Sequence, residues 1–267
     1  MLKRFYIILM RLIFAAMLLI SPPLAFSQTT GPEALASVQH YFDTGDYEKA
    51  RALGAEIGTS ESYLLASEAL TAQIILGHFD KPNSPAIEAR ELVEKAIELD
   101  PDNLDARFHY VVAFGLETQS TGILKAWRKK MPTRMRADIE ALRELAPNDP
   151  RGAALLGAWH LGIVNKVGKR NAYSWYKANA DEGAQYFETA LGLDNSDIVI
   201  TSNYAASTAL LGEREKAKEL LTSIASLTPK HAAEQAIQAR MATILSLYED
   251  PKAFKRSAKR YLANKAP

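Results

Sequence analysis

Histidine and carboxylate side chains are the groups of this sequence that could bind a metal or transfer protons. The five histidines are His40, His78, His109, His160 and His231. No two of them have the spacing of a metal-binding helix face, and no Gly-x-Ser-x-Gly elbow, phosphate loop or dinucleotide fingerprint occurs. Glu140 and Asp181 lie beside basic residues on predicted helices, which is typical of solvated ion pairs. We therefore predict no enzyme activity, no metal site and no cofactor.

Aromatic and basic residues have a more unusual distribution. All three tryptophans lie between residues 127 and 175: Trp127, Trp159 and Trp175. The acid-free segment between Glu117 and Asp138 contains Lys125, Arg128, Lys129, Lys130, Arg134 and Arg136. Around the last tryptophan lie Lys166, Lys169, Arg170, Tyr173, Tyr176 and Lys177. This mixture suits a partner with negative charge and flat apolar groups. The alternative is that the aromatic rings fix long loops while the lysines stay solvated.

The composition narrows the class of protein. The 267 residues are 48% apolar and 24% charged, as in a globular protein with a sizeable core. The absence of cysteine excludes disulfides, zinc–thiolate sites, iron–sulfur clusters and a cysteine nucleophile. With 32 Lys+Arg against 31 Asp+Glu, the balance argues against nucleic-acid binding.

The first 27 residues have the pattern of a secretory signal peptide. Three basic residues, the last of them Arg11, precede an apolar run at Leu12–Ile20, and the small residues Ala25 and Ser27 fit a signal-peptidase site. A transmembrane anchor is disfavoured because the run has about nine residues, against about 20 needed to span a bilayer. Cleavage after Ser27 would leave 29 basic and 31 acidic residues, a formal charge of −2, in a periplasmic or secreted chain.

The remaining residues have the composition and periodicity of α-helices. Ala, Leu, Glu and Lys dominate, and the alternating apolar–polar runs of strands are missing. One apolar helical stripe is Ala89, Leu92, Val93 and Ala96. This predicted helix ends before Pro101. Comparable endings recur near Pro147, Asn195 and Pro229.

The interval from Asn195 to Pro229 is 34 residues, the period of the tetratricopeptide repeat (TPR). The chain resembles this family at its turns (GDYEKA at 45–50, LGEREKA at 211–217), at a repeat exit (EKAIELDP at 94–101) and at a helix crossing (LGAW at 156–159). The resemblance implies an all-α, TPR-like α-solenoid of antiparallel helix pairs over residues 28–267.

Other intervals exceed one repeat: Pro101 to Pro147 is 46 residues, and Pro147 to Asn195 is 48. We expect the excess between the two helices of each repeat, at about Asp80–Pro85, Glu117–Lys130 and Lys166–Asn179. Equivalent positions of stacked repeats lie on one edge of a solenoid. The last two insertions would therefore form a cationic aromatic rim, with candidate contacts Trp127, Arg128, Lys129 and Trp175.

The segment 109–195 has a narrower resemblance. It contains Gly-Ile-Leu-Lys at 122–125 and Leu-Leu-Gly-x-Trp at 155–159. In these features it is similar to bacterial relatives of regulator of microtubule dynamics proteins and to the periplasmic TPR partner of TRAP-type transporters. The resemblance implies an irregular repeat solenoid and no common activity.

The TPR resemblance also indicates an inner binding surface, because first helices in that family line a concave face that binds extended peptides. Candidate residues on predicted first helices are Arg107, Tyr110, Trp159, His160 and Asn203. The amide of Asn203 resembles the asparagine that clamps a peptide backbone, since it offers both a donor and an acceptor. For Trp159 a core position is the alternative, because it follows the crossing glycine Gly157; His160 stays open between the two.

Two helices are predicted at the C-terminus, over about 232–248 and 251–264. The apolar side of the first is predicted as Ala236, Ala239, Met241, Ile244 and Leu247, and that of the second as Phe254, Ala258, Tyr261 and Leu262. Basic residues surround the second stripe. It is either a solvated capping helix or a basic amphipathic helix that contacts anionic lipid.

Together these features predict an exported, non-catalytic TPR module that binds a protein or peptide in the periplasm. Two alternatives stay open: a solute-binding accessory of a TRAP-type transporter, and a binder of the cell wall or membrane surface. No nucleic-acid partner is expected.

Overall fold

Side-chain caps and glycines set the helix boundaries. Six helices of the described residues begin where a side-chain oxygen accepts a hydrogen bond from a first-turn N–H, at Thr59, Asn103, Asp149, Asn179, Asp197 and Asp250. Gly77 ends another helix at a φ of 82°, a left-handed conformation that glycine adopts without steric cost.

The computed structural model describes residues 31–266, which form fourteen α-helices and contain no strand. The helices are α1 (Pro32–Thr44), α2 (Tyr47–Ile57), α3 (Ser60–Leu76), α4 (Asn83–Leu99), α5 (Leu104–Ser120), α6 (Ile123–Arg128), α7 (Met131–Leu145), α8 (Pro150–Val167), α9 (Lys169–Tyr176), α10 (Ala180–Leu193), α11 (Ile198–Leu211), α12 (Arg214–Ile224), α13 (Ala232–Ser246) and α14 (Pro251–Leu262). The predicted all-α class is confirmed. In this part of the chain no helix has the length and apolarity to cross a bilayer. The predicted signal peptide lies outside the described residues.

Contacts divide the chain after Ala34, and the described residues 35–266 form one compact unit. In this unit successive long helices pack in pairs, α3 with α4, α5 with α7, α8 with α10 and α11 with α12. One tight crossing is at Gly157 of α8, where a Cβ atom would lie 2.6 Å from Cδ2 of Phe187 on α10. The predicted close approach at Gly157 is therefore confirmed.

The first helices of the pairs form a closed ring. Each of α3, α5, α8, α11 and α13 packs against the next, and α13 packs against α3. Phe42 and His231 add a ring contact at 4.9 Å between centroids. The residues after α14 also join distant helices, since Asn264 Nδ2 donates to Gln119 Oε1 of α5 over 2.6 Å.

The two longer insertions lie between the helices of a pair, as predicted. Each forms a short helix, α6 between α5 and α7 and α9 between α8 and α10. The earliest one is shorter than Asp80–Pro85 suggested, because α4 already begins at Asn83.

The C-terminal helices agree only partly with their predicted apolar sides. Phe254, Ala258 and Tyr261 of α14 are buried as expected. In α13, however, Ala236 and Ala239 are exposed, and the buried face includes Ile237 instead. Alanine is too weakly apolar to define the orientation of a helix, whereas Ile237 gains more from burial.

Candidate functional site

Trp159 lies in the core rather than on an open surface. Its side chain is 2% exposed, and Nε1 donates a hydrogen bond of 2.8 Å to the carbonyl of Pro132 in the first turn of α7. The guanidinium of Arg136 lies 5.1 Å from the ring centroid. The indole therefore fixes the point where the first insertion rejoins the long helices.

The neighbouring side chain, His160, fixes the second insertion. It is fully buried, and Nδ1 accepts a hydrogen bond of 3.1 Å from the backbone N–H of Asn179, directly before α10. This bond puts the ring proton of a neutral imidazole on Nε2, which lies 3.5 Å from Glu182 Oε2. Burial lowers the pKa of His160, the Glu182 charge opposes that shift, and Arg136 adds to it.

The two insertions both pack against α7. Residues near the end of α5 and the start of α7 pack together, as Phe114 does with Met131. Met135 packs both on this cluster and on the one that contains Ala172 of α9. In the next residue, Arg136, Nη1 lies 3.5 Å from the carbonyl oxygen of Tyr176. The segments α6 and α9 with their flanking residues therefore form the cationic aromatic rim.

Large apolar side chains of the rim face solvent. Trp127 is 57% exposed and Trp175 is 55% exposed. Arg128 and Lys129 are also exposed. Three further rim side chains are more than half exposed, namely Ile123, Leu124 and Tyr173. The rim is thus an accessible surface of mixed apolar and cationic character.

A lysine in the left-handed conformation lies close to each short helix: Lys130, between α6 and α7, has a φ of 52°, and Lys177, directly after α9, has a φ of 56°. A residue with a Cβ atom has a steric cost in this region that glycine avoids. Local folding therefore does not explain why lysine occupies these positions.

The inner face retains fewer of its predicted contacts. Asn203 is half-buried on α11, and its Nδ2 donates to the carbonyl of Val199 over 3.0 Å, which leaves its amide oxygen as an acceptor. Arg107 Nε donates to the carbonyl of Pro101 over 2.7 Å. Tyr110 stacks on Phe114 at 6.0 Å between centroids. Arg107 and Tyr110 thus have local structural contacts.

Glu68 is the inner-face residue that the sequence analysis missed. It is a partly buried residue of α3, and within residues 31–266 it has no hydrogen bond or ion pair. The nearest cation, Arg151, is already bound to Asp105 and Asp149, each at 2.7 Å. Burial raises the pKa of Glu68 to about 7, and Asp105 adds to this shift. A lone acid in an otherwise apolar stretch was the available signal.

His109 lies on the adjacent helix α5. Its Nε2 is 3.2 Å from Thr71 Oγ1 of α3, and burial lowers its pKa to about 4. Further along the ring, α8 has two small residues on its surface: Ala158 is exposed, and a Cβ atom at Gly162 would meet nothing within 4 Å. The inner face therefore combines an unpaired acid with open space on α8.

Comparison with known proteins identifies the family. The family model described as regulator of microtubule dynamics protein 1-3 matches residues 59–249, from the start of α3 to just before α14. No curated protein was found that matches the chain. Because the matched region covers more than half of the chain and includes both insertions, the chain belongs to the regulator of microtubule dynamics protein 1-3 family.

Proposed function

We propose that the protein is an exported, non-catalytic interaction module that binds an extended protein or peptide segment on the inner face of its TPR-like helix ring. The observation that supports this proposal is Glu68. A partly enclosed carboxylate without a counter-ion is costly, and a lysine or arginine side chain of a partner would supply one. The partner is therefore a segment with a basic residue.

The remainder of the inner face suits a peptide backbone. The small residues Ala158 and Gly162 leave space on α8 for a chain to approach. The free amide oxygen of Asn203 on the next first helix could accept a hydrogen bond from a peptide N–H. Side-chain charge would then give specificity at Glu68, and backbone contacts would add affinity near Asn203.

Site-specific crosslinking tests the proposal. A photo-crosslinking amino acid at Ala158, in the full chain expressed with its N-terminal segment, should give a discrete protein adduct in the cell envelope. Glu68→Lys should weaken this adduct, because it replaces attraction with repulsion. As a control, the same photo-crosslinking amino acid is placed at Glu219 on α12, whose side chain is 73% exposed. Identical adducts at both positions, or an adduct unaffected by Glu68→Lys, would contradict the proposal. N-terminal sequencing should find Gln28 as the first residue if the chain is exported and cleaved.

A second candidate function is a solute-binding accessory of a transporter. The observation that favours it is the closed ring, since contact of α13 with α3 would help to enclose a small molecule. The cleft of about 300 Å³ beside Glu140, Arg143, Glu144 and Pro147 does not serve this role, because it is polar and lies at the end of α7 remote from Trp159. A small molecule of defined mass that accompanies the native protein in mass spectrometry, and is lost in Glu68→Gln, would select this function.

A further inference from the structure

Exposed apolar side chains are concentrated in the rim. Among residues 31–266, eight large apolar side chains are strongly exposed, and five of them belong to α6 and α9: Ile123, Leu124, Trp127, Tyr173 and Trp175. The other three are isolated, because each is the last residue of a different long helix: Leu99, Leu145 and Leu193. A clustered patch of this kind is typical of a contact surface, whereas single exposed leucines are not.

The same patch has uncompensated positive charge. Seven exposed basic residues of the rim have no carboxylate within ion-pair distance in the described part of the chain: Lys125, Arg128, Lys129, Lys130, Lys166, Lys169 and Arg170. The sequence has no acidic residue from 118 to 137 or from 150 to 180. The charge is therefore not neutralised within the described part of the protein and is available to an anionic partner.

The left-handed lysines add an independent observation. Lys130 lies directly before α7 and Lys177 directly after α9, and at both positions glycine would fold at lower cost. Residues held in unfavourable backbone conformations are concentrated at functional sites. A requirement for positive charge at these two points explains the choice of lysine.

We propose that the cationic aromatic rim docks on the surface of an anionic phospholipid membrane. Tryptophan and tyrosine prefer the boundary between headgroups and acyl chains, and lysine and arginine bind the anionic headgroups. Ile123 and Leu124 would enter the acyl region beside Trp127. The cations project from two short segments without a fixed geometry of donors, which matches a laterally mobile layer of headgroups better than a protein with carboxylates at set positions. The rim is separate from the inner face around Glu68, so membrane docking and partner binding can fail independently.

Vesicle sedimentation with the purified chain tests the inference. The protein should sediment with vesicles of phosphatidylcholine and phosphatidylglycerol and stay in solution with phosphatidylcholine alone. Binding should weaken as salt increases, since salt screens the attraction. Tryptophan emission should shift to shorter wavelength on binding, because two of the three indoles lie in the rim.

A variant that improves local folding separates this role from a structural one. The double substitution Lys130→Gly with Lys177→Gly should raise thermal stability, because it relieves two positive φ angles. It should nevertheless lower vesicle affinity roughly 30-fold, since each basic residue near an anionic surface contributes about a fivefold factor. The matched control replaces two exposed lysines of α14, Lys255→Gly with Lys259→Gly, and should keep full binding.

Three outcomes would overturn the inference. They are equal binding to neutral and anionic vesicles, unchanged binding by the double glycine variant of the rim, and loss of binding in the α14 control instead. A protein crosslinked at Trp127 in the cell envelope, together with no vesicle binding, would assign the rim to a protein partner.

Discussion

Trp159 and His160 are adjacent on α8, and each holds the end of a different insertion by binding backbone: the indole of Trp159 donates to the carbonyl of Pro132, and the imidazole of His160 accepts from the N–H of Asn179. Because consecutive residues of a helix point about 100° apart, one helix can secure segments on two of its sides. The rim is therefore positioned by side chains that never touch its exposed surface.

Loss of the Trp159 hydrogen bond should loosen the first insertion. Trp159→Phe keeps a buried aromatic ring and removes the Nε1 donor, so the free energy of unfolding should fall by about 1 kcal/mol. Urea denaturation measures this change, and hydrogen exchange should accelerate around residues 129–133. Trp127→Phe is the control and should leave stability unchanged, since Trp127 is 57% exposed. Equal stability of the two variants would contradict the structural role of Trp159.

The helix crossing at Gly157 predicts a contrast between two glycine substitutions on α8. Gly157→Ala should destabilise the fold by about 1–3 kcal/mol, because its Cβ would lie 2.6 Å from Phe187 Cδ2 and 3.0 Å from the carbonyl oxygen of Gly183. Gly162→Ala should stabilise it by up to about 1 kcal/mol, since its Cβ meets no atom and alanine favours a helix. Thermal unfolding of both variants gives the comparison. If Gly157→Ala leaves the stability unchanged, α8 and α10 are farther apart at this crossing than described above.

The sequence predicts the helix pairs and the place of the insertions because these depend on local signals and repeat length. Pro101 ends a helix, and Gly157 lets another helix approach closely. Both effects follow from the residue type, so they can be inferred from the sequence alone. Closure of the ring depends on contacts between α13 and α3, which are far apart in sequence and meet only through the accumulated rotation of several repeats. The role of Glu68 was missed for a similar reason: the apolar stretch around it indicates burial, but the lack of a counter-ion is visible only once the helices are assembled. The same limit kept the positions of Trp159 and His160 open, and both lie in the core.

The ionisation of Glu68 predicts a pH-dependent stability difference. Its folded-state pKa of about 7 lies above the usual 4.5, so the native state binds a proton that the unfolded state releases between these values. The stability of the wild-type protein therefore falls as pH rises through this window. Glu68→Gln, which is always neutral, should have a higher Tm than the wild type at pH 8 and a similar Tm at pH 5. Glu61→Gln, an exposed position of the same helix, should show no such difference. A Tm difference that is constant with pH would show that the carboxylate is not partly enclosed.

Burial of His109 predicts that stability falls as pH decreases, which is the opposite of the dependence expected from Glu68. Its folded-state pKa of about 4 is below the usual 6.5, so the unfolded state gains a proton first and stability falls as pH drops from 6.5 towards 4. His109→Gln keeps a polar group near Thr71 and does not titrate, so it should lose less stability than the wild type between pH 7 and pH 5. Denaturant unfolding at the two pH values measures this loss. The control is His40→Gln, because His40 is exposed. Parallel losses in the wild type and His109→Gln would contradict a buried neutral imidazole.

The segment after α14 helps to close the ring. Gln119 near the end of α5 donates to the carbonyl of Leu262 and accepts from Asn264, and the buried guanidinium of Arg240 donates to the carbonyl of Lys265. A Cβ atom at Gly77 would lie 2.6 Å from the carbonyl carbon of Lys265, so the segment also packs closely against the end of α3. These contacts join first helices from opposite ends of the repeat array.

Gln119→Ala should therefore weaken the closure without disturbing the pairs of helices. Two hydrogen bonds are lost, and at about 1 kcal/mol in total Tm should fall by about 2–4 °C. Hydrogen exchange should accelerate in the last turns of α3 and α5, and a chain that ends at Leu262 should show the same pattern more strongly. Gln185→Ala, an exposed position on α10, serves as the control and should change neither quantity. If exchange in α3 and α5 is the same in Gln119→Ala, in the shortened chain and in the wild type, the segment after α14 does not hold the ring. The closure then depends on the contact of α13 with α3 and on that of His231 with Phe42, which all three proteins retain.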